Sequence, residues 1–97
     1  MYTLLGNNYK ITKGKENFAY EEVKSLFTDY FQDYDYVLGD YSYGKIRLKG
    51  FYDSSNKKAK KINDIKYLDS YIKDYCSPGA KIFILKKEKN TKNSKNM

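Results

Sequence analysis

Ninety-seven residues suffice for one domain, which at this size buries only about 60–65% of the surface its unfolded chain exposes and leaves little room for an internal cofactor pocket. A single cysteine, Cys76, and no histidine exclude an intramolecular disulfide, the usual zinc sites of several Cys or His ligands, and mechanisms that need a histidine base. The net charge of +7 suits a nucleic-acid partner, but residues 86–97 alone carry five lysines against one glutamate, and eighteen lysines to one arginine is also what an AT-rich genome produces without selection for charge.

The opening MYTLLGNN is too short an apolar run for a signal peptide or a membrane span, so the cytoplasm is the expected compartment, with no membrane partner. Tyr9 to Lys13 alternates apolar with polar and predicts a short strand between Gly6-Asn7-Asn8 and Gly14. Asn17 then stands as an N-cap, and Ala19, Val23, Leu26, Phe27, Tyr30 and Phe31 recur at helical spacing, predicting one helix from Ala19 to Phe31. Glu21 and Glu22 suit the positive end of its dipole. A stripe of this kind faces a core far more often than a cofactor.

The stretch 34–53, YDYVLGDYSYGKIRLKGFYD, holds six aromatics, three glycines and the chain's only arginine. Tyr36 to Gly39 and Lys45 to Phe51 predict two strands joined by a turn over Asp40 to Gly44, with Asp40 opening the turn and Gly44 supplying positive φ. In the second strand Ile46 and Leu48 point one way and Lys45, Arg47 and Lys49 the other, with Phe51 on the basic face. Gly50 predicts a bulge or a close backbone approach. Residues Asp53 to Lys61 form a polar connector whose lysines make a solvated loop first and a phosphate patch second. Asp64 caps a second helix, with Ile65, Leu68, Ile72 and Tyr75 or Cys76 inward, and Ser77-Pro78-Gly79 stops it. Ala80 to Leu85 is apolar at almost every position, as a strand covered on both faces must be, and is the candidate for the centre of the sheet. The order β-α-β-β-α-β predicts an α+β domain over residues 1–87, two helices on a small mixed or antiparallel sheet, and a disordered basic tail over 88–97.

Gly39-Asp40, Tyr43-Gly44, Arg47-Leu48-Lys49-Gly50-Phe51 and Tyr75-Cys76, at this spacing, resemble the YutD-like family of small proteins from low-GC Gram-positive bacteria. The resemblance spans residues 9 to 87. Two positions depart from it, Tyr41-Ser42 where the family often has Trp-Gly and Gly79-Ala80 where it has Gly-Cys. The resemblance implies a small α+β domain and supplies no activity or catalytic residues.

Function therefore rests on side-chain chemistry. Asp40 with Asp35 or Asp53 could act as a carboxylate pair, but nothing in the sequence fixes their geometry. GDYSYGK lacks the Ser or Thr of a phosphate loop and precedes a strand rather than a helix. No metal site and no cofactor are expected. The reading favoured is a non-enzymatic binding domain that takes RNA or a ribonucleoprotein on the face of Lys45, Arg47, Lys49 and Phe51, with Asp40, Tyr41 and Tyr43 at the turn. The alternative is a protein-interaction module that uses exposed tyrosines or a sheet edge. For Arg47, a partner-binding guanidinium competes with an ion pair to Asp40. Where the exposed tyrosines lie discriminates between the two partner classes.

Overall fold

A computed structural model describes residues 1–42, 44–76 and 79–88. Five strands, β1 (Tyr2–Leu4), β2 (Asn7–Lys13), β3 (Tyr36–Ser42), β4 (Lys45–Phe51) and β5 (Ile82–Lys87), form one antiparallel sheet in the order β1-β2-β5-β3-β4. Helices α1 (Tyr20–Leu26) and α2 (Asp29–Gln32) lie between β2 and β3 in the chain, and α3 (Leu68–Tyr75) lies between β4 and β5. The α+β class is as expected. So is the central place of the last strand.

Alternation along β5 explains that place. Phe83 and Leu85 pack with Val23, Phe27 and Val37 on one face of the sheet, whereas Ile84 packs with Leu38 and Phe51 under α3 on the other. Helices thus cover both faces, and a strand between two apolar layers has no polar side to show. Burying a side chain of the size of Phe83 contributes roughly 2–3 kcal/mol.

Three expectations need correction. Gly6-Asn7-Asn8 is not a boundary: the turn is Leu5-Gly6, both at positive φ (50° and 83°), and it closes a hairpin with Leu4 opposite Asn7. A leucine gives no turn signal, so β1 was illegible. The single helix from Ala19 to Phe31 is two, because Phe27 and Thr28 are extended. That break drops Phe27 into the core against Tyr9 and leaves Leu26 and Tyr30 exposed. Asn17 is not the cap of α1, which is Ala19; its amide instead donates to the Ile82 carbonyl at 2.9 Å. Asp64 does cap the segment that it precedes, its side chain accepting from Lys66 N, through a 3-10 turn (Ile65–Tyr67) that leads into α3. Tyr43, the Ser77-Pro78 stop and the tail from residue 89 lie outside the described residues.

Candidate binding surface on β4 and α3

Asp40 is a strand residue, not a turn residue: β3 runs on to Ser42, which pairs with Lys45 across a two-residue connection. Asp40 lies directly opposite Arg47 and is only 4% exposed. Arg47 Nε donates to Asp40 Oδ1 at 3.2 Å and Nη2 to Oδ2 at 2.7 Å, a bidentate fork. The same Nη2 donates to the Tyr75 carbonyl at 3.2 Å, on the last residue of α3. One guanidinium therefore ties β3, β4 and the negative end of α3 together. Hydrogen bonding to Asp40, and then its charge, hold the Arg47 pKa above its ordinary value. Cys76, buried and free, abuts this joint; burial first and the Asp40 carboxylate second push its thiol pKa up. A protonated, buried thiol of this kind is inert packing.

The other expected site residues do not form one open patch. Tyr41 faces the opposite side of the sheet, its ring 6.4 Å from that of Phe83. Phe51 is buried beneath Tyr71, with ring centroids 5.5 Å apart, so its face is not available to stack a base. Lys49 does share the Arg47 face, and its ammonium lies 5.2 Å from the Phe51 ring and 5.9 Å from the Tyr71 ring. Lys45 is exposed at the end of β4. The carboxylates are also dispersed. Asp35 sits five residues before Asp40, about 16 Å along an extended chain, beyond the span of a glycosidase pair. It accepts instead from Asp53 N and the Asn56 amide. Of the connector lysines, Lys58 is paired with Asp33 at 2.7 Å.

Sequence reading missed the most exposed aromatic feature of this surface. Tyr67, the N-cap of α3, and Tyr71 and Tyr75 within it recur four apart; Tyr67 and Tyr75 are exposed, while Tyr71 packs with Leu68 and Ile72 against the core. With Ile62, Lys49 and Phe51 they bound a groove of about 690 Å³. Tyr75 is 66% exposed and Ile62 71%. The four-residue repeat of tyrosines is present in the sequence, but the inner-face pattern admits Tyr75 or Cys76, and it is Cys76 that is buried while Tyr75 is exposed. A second cleft of about 500 Å³, at Asp35, Tyr36, Asp53 and Lys86, is more polar, and the carboxylates of Asp35 and Asp53 are already hydrogen-bonded within the chain.

Comparison with known proteins agrees with the sequence resemblance. Over 73 residues the chain is 44% identical to "Putative antitoxin YutD" of Bacillus subtilis (strain 168), covering 75% of this chain and 80% of that protein. The solution NMR structure of protein yutD from B. subtilis superposes with a TM-score of 0.74 at 37% identity, over 92% of this chain and 82% of that one. Residues 4–86 match the family model described as "Putative antitoxin YutD-like", and the chain belongs to the YutD-like family.

Proposed function

We propose that the chain is a non-enzymatic, cytoplasmic protein-binding module that grips its partner in the groove between β4 and α3. The observation that carries this reading is the tyrosine stripe. Tyr67 and Tyr75 stand exposed at the two ends of α3, and Tyr71 between them lies over Phe51 on the floor of the groove. Tyrosine offers large contact area with few rotors and is favoured at interface hot spots. The name printed for the B. subtilis relative, "Putative antitoxin YutD", suits a protein partner. No helix among the described residues is long and apolar enough to cross a membrane.

RNA is the second reading, favoured by Lys49 and Lys61 beside the same rings and by the exposed Lys45 at the start of β4. Three phosphate contacts predict a log–log salt slope of about −2 and dissociation constants of roughly 10⁻⁴–10⁻⁶ M. Affinity purification from the native cell, with and without RNase, separates the two. The protein reading expects the same partner in both arms and its loss with Tyr67→Ala/Tyr75→Ala at unchanged thermal stability. A partner that disappears with RNase overturns it in favour of RNA.

A further inference from the structure

β4 is an outer strand of the sheet, and its free edge borders the tyrosine groove. Which backbone groups face outward follows from the ladder. Tyr41 N donates to the Lys81 carbonyl, on the β5 side, so Asp40 and Ser42 turn their groups toward β4. Their partners Arg47 and Lys45 therefore face β3, and the N–H and C=O groups of Ile46, Leu48 and Gly50 point out of the sheet. Among the described residues no backbone group bonds to these three from outside; Ile46 and Leu48 are half-buried, whereas Gly50 is buried and its carbonyl accepts from Lys49 Nζ at 3.5 Å. Two residues further on, the chain has already begun to extend the edge. Tyr52 N donates to Asn63 O at 2.7 Å and Ile65 N to Tyr52 O at 2.9 Å, one step of a parallel ladder.

Resting on the protein-binding reading, we infer that the partner binds by adding a strand to β4 over Lys45 to Lys49, with acidic and aromatic side chains directed into the groove. A strand placed beyond β4 carries alternate side chains on each face. On one face they lie beside Ile46 and Leu48, which are only partly covered by the core. On the other they meet Lys45, Lys49 and the tyrosines of α3. Charge selects the occupant. Arg47 is neutralised by Asp40, while Lys45, Lys49 and Lys61 leave the edge basic with Asp74 as the groove's one acid. A second copy of β4 would set like charges across the seam, the device by which edge strands avoid self-pairing. Residues 89–97 of this chain, with three lysines and no acid, carry the same wrong sign.

The test titrates the ¹⁵N-labelled full chain with the pentapeptide acetyl-Glu-Val-Phe-Val-Glu-amide, whose valines face Ile46 and Leu48 while Phe enters the groove. Strand addition expects shifts at Ile46 and Leu48 and at least threefold slower amide exchange there at saturation. N-methylation of both valines removes the donors aimed at the edge and should abolish binding; replacing both Glu by Lys should weaken it at least tenfold. Shifts confined to α3 with unchanged exchange along β4, or binding undiminished by N-methylation, would overturn strand addition and leave the groove reading intact. Absence of binding at millimolar peptide also overturns it, while the purification above reports separately on the protein-binding function. Edge protection that rises with protein concentration alone overturns it in favour of a second copy.

Discussion

The guanidinium of Arg47 is committed before any partner arrives. A lone arginine among eighteen lysines is explained by its position, where two carboxylate oxygens and a helix-end carbonyl must be met from one side chain. An ammonium cannot span that set. Arg47→Lys should therefore lower the urea midpoint, and Asp40→Ala, which leaves the guanidinium unpaired, should cost about 2–3 kcal/mol in urea unfolding. A wild-type midpoint for Arg47→Lys would show that the joint contributes nothing. Tyr9 poses the opposite problem. It is fully buried and its hydroxyl makes no aligned hydrogen bond. Burial pushes its pKa up from 10.0 to about 12, and the nearby Asn7 side chain offsets this only in part. Between those values the folded chain holds a proton that the unfolded chain releases, so stability falls as pH rises. Tyr52 is raised to about 12 by burial and then by Asp33, and burial raises Cys76 above its usual 9.0; both add to the alkaline loss. Tyr9→Phe should raise stability by up to about 1 kcal/mol near neutrality and flatten the decline above pH 10, read from urea midpoints near pH 8 and pH 11.

At the scale of elements, close backbone approach is the recurring demand. A Cβ on Gly39 would lie 2.1 Å from the Phe83 ring, and one on Gly50 2.3 Å from the Tyr34 ring. Phe83 is locked at the centre of the core, so Gly39→Ala should cost about 1–3 kcal/mol. Tyr34 lies near the surface among Tyr30 and Tyr52 and can swing, so Gly50→Ala should cost less. Equal losses in thermal unfolding would contradict that contrast. These approaches were legible for Gly50, which breaks an apolar–polar alternation, and β5 was legible because its apolar run admits one location. The break between α1 and α2 was not, since Phe27 and Thr28 are tolerable in a helix and tertiary packing of Phe27 decides against it. Nor was Asp40 legible as a strand residue. Asp in a Gly-rich stretch signals a turn, and only its cross-strand arginine outweighs that preference. The candidate surface was half legible: Lys45 and Lys49 came from strand alternation, whereas the tyrosines of α3 became visible only once the helix had a solvent side.

For the molecule as a whole, the last rung of the ladder among the described residues is at Glu88, whose N–H donates to the Asn8 carbonyl at 2.8 Å. The family match stops at residue 86. A chain ended after Glu88 should unfold cooperatively with stability within about 0.5 kcal/mol of the full chain in urea. A larger loss would place part of the fold's support beyond that residue.

The centre of the sheet is the last strand to be made. Lys87 is set against Tyr9, and both β2 and β3 pair with β5 rather than with each other. While the chain is being synthesised it can hold two hairpins, but no strand pairing joins them. The sheet cannot close until residues 82–87 are free of the ribosome, so completion of the fold waits for β5, at the slower pace of contacts distant in sequence. Arrested nascent chains short of β5 should be cut readily by protease at every length. Resistance should then arrive in one step when that strand clears the exit tunnel.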